Sequence, residues 1–309
     1  MSRNPSPLPA ELAGRVFTTE EAFSCGVSSE RLRRRDLRPL VKGVYAPEGH
    51  SLTEREVVGA LCRKYPGAAA AGLTAARLWG MPLPLSVGSW SLGTPVTLLS
   101  PRALHRHDRA IVHWQHRDLD RTRIVHGNEC RATSMVQTWI DLRHDLSPSW
   151  LVVIGDHLVR KPRAWAEGRD APYAAVEELV RAARAATGRG IVGLRGAAER
   201  VRVGSDSPQE TLLRLACAEA GLPMPELNSP WIAGGEDLGT PDLLWRSHGV
   251  CVEYDGRTHL SPEQRWRDIR REMRRREQGM VEIRVVHEEA RHGWSAPVAR
   301  IAKALRERE

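Results

Sequence analysis

The stretch PDLLWRSHGVCVEYDGRTHL, residues 241–260, decides the fold of the C-terminal part of the chain. Its two apolar segments, PDLLW and GVCVEYD, predict short antiparallel strands joined by a turn at residues 246–249. A loop of two or four residues at that turn fixes the register between the strands. The residues that then face each other are Trp245 with Val250, Leu243 with Val252 and Asp242 with Glu253.

The ends of these strands carry acids where apolar residues are expected. Asp242 and Glu253 oppose each other with Cβ atoms roughly 4.5–5.5 Å apart, and like charges at that spacing are destabilising. Because side chains alternate along a strand, Asp255 lies on the same face as Glu253. Either one carboxyl is protonated with a raised pKa, or a divalent cation lies among the three, and oxygen ligands favour Mg²⁺ or Mn²⁺ over zinc. The alternative is a plain turn at Asp255 with Glu253 on a solvated strand face.

A helix is predicted before this hairpin, over SPQETLLRLACAEAGLP, residues 207–223. Ser207 is the expected N-cap, and Glu210 follows three residues later, which is the spacing of a capping box. Glu210 is therefore either a capping residue or an additional acid of the site.

A second helix is predicted after the hairpin, over SPEQRWRDIRREMRRREQG, residues 261–279. Trp266, Ile269 and Met273 have the spacing of a buried stripe. The helix is also rich in arginine, and this basic face, with Arg267 and Arg271 as its expected DNA contacts, either binds the DNA backbone or is simply solvated. MVEIRVV then returns as a strand.

The order of these residues resembles the PD-(D/E)XK nuclease core, and within it the Vsr-like (very short patch repair) endonuclease domains. The matching positions are Glu210 on a helix, the PD at 241–242, VEYDG at 252–256 and His259. The resemblance implies a restriction-endonuclease-like α/β core. It also implies that Asp242 and Glu253 bind Mg²⁺ or Mn²⁺, that Tyr254 lends its carbonyl, and that Glu210 assists.

The family's lysine position is filled by Asp255, and the sequence contains no lysine between Lys161 and Lys303. The Vsr-like branch also lacks this lysine and uses a histidine a few residues past the strand. The resemblance therefore makes His259 the candidate general base and Asp255 a further ligand, in a metal-dependent hydrolysis of DNA phosphodiesters. The alternative is that the domain keeps the fold without the activity.

The N-terminal segment FTTEEAFSCGVSSERLRRRDLRPLVKGVYA, residues 17–46, predicts a winged helix-turn-helix. Ala22, Gly26 and Leu32 have the spacing of the helix crossing, the left-handed turn and the apolar anchor of such a unit. The basic residues that would contact DNA from its second helix and its hairpin are Arg31, Arg33, Arg34, Arg35, Arg38 and Lys42. The alternative is a small helical cap with a solvated charged face.

The whole chain is expected to be a mixed α/β protein of three domains. These are a winged helix at 1–48, an α/β middle domain at 49–190, and the nuclease-like domain at 191–309. Four histidines of the middle domain, His105, His107, His113 and His116, lack the carboxylate or cysteine partners of a metal site.

Much of the chain also resembles the AbiEi-type antitoxin-related proteins, which join a winged helix to an α/β domain and, in some members, to a Vsr-like domain. That resemblance implies a transcriptional regulator, with double-stranded DNA and a cognate toxin gene product as partners. Two functions are therefore open: a DNA endonuclease guided by a winged helix, or an antitoxin-type regulator with a degenerate nuclease fold.

Composition agrees with a DNA-binding protein without deciding between these functions. The net charge is +8 over 309 residues, a mild preference for polyanionic partners. The five cysteines are scattered and never form CxxC, so neither a disulfide framework nor a structural zinc site is indicated. The sequence lacks an apolar stretch of membrane-spanning length or a signal peptide core, and a cytoplasmic location without membrane partners is expected.

Overall fold

The computed structural model describes residues 5–101, 111–118, 123–126, 130–256 and 262–308. The chain is a mixed α/β protein, as its sequence predicts, and it divides into two compact units, Met1–Leu146 and Ser147–Glu309. Within the described ranges, we find no helix that is both long and apolar enough to span a bilayer. The finer division into three domains stays a prediction.

The first unit is built from short strands and helices. Its strands are β1 (Phe17–Thr18), β2 (Leu37–Val41), β3 (Val44–Pro47), β4 (Ala69–Ala70), β5 (Val96–Pro101), β6 (Val112–Arg117), β7 (Ile124–His126) and β8 (Arg131–Thr133). Its helices are α1 (Thr19–Ser24), α2 (Glu54–Lys64), α3 (Gly72–Leu78), α4 (Leu85–Gly88) and α5 (Met135–Asp141). Two 3₁₀ turns, Arg31–Arg33 and Leu142–His144, complete it.

Residues 17–47 form a three-stranded sheet in the order β1-β3-β2 with α1 beside it. Thr18 caps α1 through a full capping box with Glu21, and Gly26 takes the left-handed backbone, φ 76°, that the sequence predicts for the turn. The predicted second helix was wrong, because Arg31–Arg33 is a single 3₁₀ turn. Leu32 is its one buried residue, and one apolar side chain does not supply the stripe that a longer helix needs.

A five-stranded mixed sheet, in the order β6-β5-β4-β8-β7, fills the rest of the first unit. β5 and β6 are parallel. Val44 of β3, Leu61 of α2 and Leu98 of β5 belong to one apolar core, so the small sheet and the large one share their interior.

The second unit contains the acidic hairpin of residues 241–260. Its helices are α6 (Pro148–Val159), α7 (Ala164–Glu167), α8 (Val176–Ala185), α9 (Ile191–Arg200), α10 (Pro208–Glu219), α11 (Pro262–Glu277), α12 (His287–Arg291) and α13 (Ser295–Arg306). Its strands are β9 (Glu226–Leu227), β10 (Ile232–Ala233), β11 (Glu236–Asp237), β12 (Leu243–Trp245), β13 (Val250–Asp255) and β14 (Val281–Val286).

Four of these strands form a mixed sheet in the order β14-β13-β12-β9. The β12–β13 hairpin has the predicted register, with Leu243 opposite Val252 and Trp245 opposite Val250. Its turn is one 3₁₀ turn, Arg246–His248, closed by Gly249 in the left-handed region at φ 61°. β13 and β14 are parallel, and α11 lies in the crossover that parallel strands require.

A buried ion pair joins α10 to α6. The Arg214 Nη2 atom lies 2.6 Å from the Asp156 Oδ2 atom, and both side chains are 1% exposed. Thr211 Oγ1 donates to the same Oδ2, and the Arg202 backbone N–H donates to Oδ1, each at 2.8 Å. Since Thr211 and Arg214 follow Glu210 on α10, this pair fixes the helix that carries Glu210.

Candidate functional site

Asp242 lies at the end of the hairpin, directly before β12. Its Oδ2 accepts the backbone N–H of Tyr254 at 2.6 Å, which ties the carboxylate to β13 between Glu253 and Asp255. The paired ladder ends at Leu243, one residue short of the expected Asp242–Glu253 pair. The two acids are therefore brought together by a side-chain hydrogen bond across the strand end.

Glu210 reaches the same place from the first turn of α10. Its backbone N–H donates to the Ser207 hydroxyl at 3.3 Å, as a cap requires. Its carboxylate does not close the capping box on Ser207. The Oε2 atom instead accepts the Asp206 N–H and the Asn228 side-chain amide, each at 2.8 Å. Glu210 is 6% exposed, so this carboxylate is held in the interior.

Glu210, Asp242 and Glu253 form what we call the acid cluster. Burial, followed by the negative charge of Glu210, raises the pKa of Asp242 to about 8. The charges of Glu253 and Asp206 add to this rise, and the hydrogen bond from the Tyr254 N–H opposes it. Burial raises the pKa of Glu210, which is held by three hydrogen bonds. Burial also raises the pKa of Glu253. Carboxylates that are destabilised in their charged form favour a proton or a cation between them.

Asp255, expected as the third acid on this face, is the exposed last residue of β13. Its charge acts on the side chains of Tyr254 and Arg284, whose pKa values it raises. Glu210 is therefore the third acid near Asp242.

Arg275 is the site residue that sequence reasoning missed. Its Nη1 donates to Glu253 Oε1 and to Glu282 Oε2, each at 2.7 Å, and its Nε donates to the Leu238 carbonyl at 2.8 Å. The side chain is 1% exposed, and its Nη2 atom is buried without a hydrogen-bond partner. The sequence offered one signal, since Glu282 is an acid within the mostly apolar strand β14. Such an acid needs a cation, and Arg284 on the same strand is a second partner for it, at 3.0 Å.

The predicted buried stripe of α11 was wrong. Trp266, Ile269 and Met273 are 65%, 40% and 56% exposed, whereas Arg275 points into the protein. Helical periodicity identifies a face but not which face turns to the sheet. Here two acids on adjacent strands, Glu253 and Glu282, hold the arginine side of the helix.

A basic cavity of about 610 Å³ lies beside this helix. Three arginines line it, Arg270, Arg271 and Arg274, together with Met273, Gly239 and the two acids Asp237 and Glu277. Gly239 has φ 80°, and a Cβ there would lie 2.4 Å from the Arg271 Cδ atom, so glycine is required for Arg271 to pack at this position. The positive charge of Arg271 also opposes the burial that raises the pKa of Glu253.

Two expected site residues of this segment fall beyond what can be described. His259, the candidate general base, lies outside the described residues. Arg267 belongs to α11, but its side chain lies outside the described part as well.

The donor set of the acid cluster fits a hard divalent cation. Asp242 and Glu253 offer carboxylate oxygens. The Tyr254 N–H points at Asp242, and in a strand the carbonyl of the same residue points to the same side, where the ladder has already ended. In the part of the chain that the structure describes, no group of three or more His, Cys, Asp or Glu side chains is placed to hold a metal alone. Mg²⁺ is commonly held by one or two carboxylates with water and a substrate phosphate, and Asp242 and Glu253 match that pattern.

The predicted DNA contacts of the first unit divide into two groups. Arg33, Arg34 and Arg35 are exposed, and Arg34 pairs with Glu30 at 2.9 Å. Arg31 is instead engaged within the fold. It donates twice to Asp36, at 2.9 and 2.6 Å, and its side chain is 10% exposed.

The two remaining basic residues lie on the hairpin. Arg38 is half-buried with its Nε atom lacking a hydrogen-bond partner, and Lys42 is exposed at the β2–β3 turn. Of the middle-domain histidines, His113 and His116 lie on β6, and His105 and His107 fall outside the described residues.

Comparison with known proteins gives relatives without an assigned activity. The chain is 29% identical over 165 residues to two uncharacterized proteins of Mycobacterium tuberculosis, MT2308 from strain CDC 1551 and Rv2248 from strain H37Rv. The match covers 52% of this chain and 60% of each relative, so the chain spans less than two thirds of the length of the curated proteins it matches. No family model matches the chain, and no solved structure matches it.

Proposed function

We propose that the second unit is a metal-dependent DNA endonuclease domain of the Vsr-like type. The observation that carries this proposal is the convergence of three carboxylates from three separate elements. Glu210 comes from α10, Asp242 from the loop before β12, and Glu253 from β13. Burial, followed by the negative charge of Glu210, raises the pKa of Asp242 to about 8. A cluster of this kind is unfavourable to folding and favourable to binding a cation.

Each residue of the cluster has a distinct role in this proposal. Asp242, Glu253 and the Tyr254 carbonyl hold Mg²⁺ or Mn²⁺, which when bound polarises the scissile phosphate. Glu210 keeps the Asp206 and Asn228 loops in place beside Asp242. Arg275 orients Glu253 through Oε1. His259 is proposed as the base that removes a proton from the attacking water, as the Vsr-like resemblance implies.

DNA enters this proposal through two basic surfaces. Arg33, Arg34 and Arg35 of the first unit are exposed, and they are the first surface proposed to contact backbone phosphates. The arginine-lined cavity beside α11 is the second such surface.

The alternative is an antitoxin-type transcriptional regulator with a non-catalytic nuclease fold. One observation favours it: Glu253 is already paired with buried Arg275 at 2.7 Å, which compensates part of the charge that would attract a cation. A cognate toxin gene product would then be the partner, alongside double-stranded DNA.

Cleavage assays separate the two functions. Purified protein is incubated with supercoiled plasmid, mismatched duplex and single-stranded DNA, with Mg²⁺ or Mn²⁺. Since a metal contributes several kcal/mol of transition-state stabilisation, Asp242→Asn and Glu253→Gln should each slow cleavage by roughly 100-fold or more. Glu199→Gln, an exposed acid on α9, is the matched control and should cleave like the wild type. Absence of cleavage on every substrate, or cleavage that survives both site substitutions, supports the regulator instead.

A further inference from the structure

A second cavity, of about 240 Å³, adjoins the acid cluster on the side of Glu210. Three segments that are distant in sequence line it. Arg160 and Lys161 come from the segment after α6, Gly204 and Asp206 from the loop before α10, and Asn228 from the loop after β9.

The wall of this cavity is in direct contact with the acid cluster. The Asn228 side-chain amide donates to the Glu210 Oε2 atom at 2.8 Å and to the Gly204 carbonyl at 2.7 Å. The backbone N–H of Asp206 donates to the same Glu210 oxygen. The charge of Asp206 also helps to raise the pKa of Asp242. A ligand in this cavity is therefore separated from the acids by a single layer of residues.

The backbone that shapes the cavity is strained. Asn228 has φ 42°, and it is the non-glycine residue with positive φ in the described part of the chain. Gly204 has φ 127°, and a Cβ there would lie 2.7 Å from the Leu227 Cβ atom. Strained backbone of this kind persists where the surrounding structure enforces it, and it concentrates at binding sites.

The charged side chains around the cavity are mostly committed to one another. Arg160 donates to both Glu167 oxygens at 2.7 Å, and Arg163 lies 2.5 Å from Asp206. Lys161 is exposed, and within the described residues it makes neither a hydrogen bond nor an ion pair. Its ammonium group, with three donors, is therefore open to an anionic ligand.

We propose that Lys161 is a phosphate-binding residue of the nuclease-like domain. In the complex with DNA, its Nζ donates to a non-bridging oxygen of a backbone phosphate that occupies this cavity, beside the phosphate attacked at the acid cluster. The ligand class is a phosphodiester. This inference rests on the proposed endonuclease function.

The test uses the full chain with Lys161→Ala, Lys161→Arg and Lys303→Ala. Lys303 is an exposed lysine of α13 that pairs with Glu307, so its variant is the matched control. Loss of one preorganised charge contact should slow single-turnover cleavage with Mg²⁺ by roughly 100-fold in Lys161→Ala. Lys161→Arg, which keeps the charge, should recover at least a tenth of the wild-type rate, and Lys303→Ala should match the wild type. Hydrogen exchange of β13 amides should be unchanged in all three variants.

A binding measurement keeps this inference separate from the cleavage proposal. Duplex binding is measured with Ca²⁺ replacing Mg²⁺, as the slope of log affinity against log salt concentration. In Lys161→Ala this slope should become shallower by the equivalent of about one phosphate contact, and in Lys303→Ala it should not change. Cleavage that depends on Asp242 but is unchanged in Lys161→Ala overturns the role of Lys161 and leaves the endonuclease standing. If the protein does not cleave DNA, an unchanged salt slope in Lys161→Ala overturns the phosphate contact by itself.

Discussion

The acid cluster of the second unit and the arginine-rich segment of the first are both concentrations of like charge, and the fold treats them in opposite ways. Glu210, Asp242 and Glu253 come from separate elements and are brought together inside the protein. Arg33, Arg34 and Arg35 are adjacent in sequence and point into solvent. Repulsion among the arginines is screened by water, whereas the buried acids repel through a medium of low polarity.

Exposed and buried groups of like charge carry different information about function. Exposed like charges are inexpensive, so a basic run is compatible with either DNA binding or a solvated surface. Buried like charges are costly, and a chain that keeps them needs a compensating ligand, proton or counter-ion. Here Arg275 pairs with Glu253, whereas burial and the charge of Glu210 raise the pKa of Asp242.

The largest effect is expected from removing the buried counter-ion. Arg275→Met leaves Glu253 and Glu282 facing each other without their shared guanidinium, which should cost about 3–5 kcal/mol. Hydrogen exchange of the β13 amides measures this as a lower free energy of opening. Arg274→Met, the exposed neighbour on α11, should change that free energy by about 0.5 kcal/mol or less. Equal effects from the two substitutions would contradict the buried role of Arg275.

The next largest effect is expected at Gly204, beside the acid cluster, and we compare it with Gly26 in the first unit. Gly204→Ala should lose roughly 2–4 kcal/mol, because strain at φ 127° adds to the clash with Leu227. Gly26→Ala should lose only about 1–2 kcal/mol, since φ is 76° but no atom lies within 4 Å of the added Cβ. Urea unfolding of each unit, monitored by the hydrogen exchange of its amides, gives both losses of unfolding free energy. A larger loss at Gly26 than at Gly204 would be inconsistent with the close packing of Leu227 against Gly204.

The third effect is a pH dependence. The pKa of Asp242 is raised to about 8 in the folded protein, against about 4 in an unfolded chain. The folded state thus holds the proton more tightly, and this stabilisation is complete below about pH 4 and is lost as the pH rises through about 8. Asp242→Asn cannot ionise, so at about pH 9 it should be roughly 1–2 kcal/mol more stable than the wild type.

Unfolding curves between about pH 4 and pH 9 measure this difference. Glu199→Gln should keep the wild-type profile. A wild-type profile that is flat over this range, or an Asp242→Asn protein that is less stable at high pH, would argue against a destabilised Asp242 carboxylate.

The smallest effect on stability is expected in the exposed arginine segment. Replacing Arg33, Arg34 and Arg35 together by alanine should change the free energy of unfolding by about 0.5 kcal/mol or less. Duplex binding should nevertheless weaken and lose up to about three phosphate contacts from its salt slope. Arg31→Ala is the contrasting variant, since the loss of its double hydrogen bond to Asp36 should destabilise the first unit. A DNA affinity unchanged in the triple variant would remove this segment from the proposed interface.

The local features of the second unit were predictable from sequence. The register of Leu243 with Val252 followed from strand alternation and a four-residue turn. Ser207 caps α10 because a hydroxyl before an apolar helix satisfies its first free N–H groups. These features depend on residues that are close together in the chain.

The long-range features could not be read in the same way. The periodicity of α11 identified Trp266 and Met273 as a stripe but did not determine that Arg275 turns inward, because that depends on acids from two other strands. From the sequence, Glu210 is either a capping residue or an acid of the site. Only the positions of Asp206 and Asn228, which donate to its carboxylate, show where that carboxylate points. Likewise, Lys161 is distant in sequence from Asp242 and Glu253, although it lines the cavity beside the acid cluster.

The central claim is that the acid cluster binds a divalent cation, and direct measurement of Mn²⁺ binding tests it. Electron paramagnetic resonance at about pH 7.5 counts the bound Mn²⁺ in the wild type, Asp242→Asn, Glu253→Gln and Glu199→Gln. Each of the three substitutions replaces a carboxylate by the corresponding amide, so the control is matched in chemistry. We expect one bound Mn²⁺ per protein molecule in the wild type and in Glu199→Gln, and loss of this ion in Asp242→Asn and Glu253→Gln. Binding that is undetectable in the wild type, or equal in all four proteins, would contradict it.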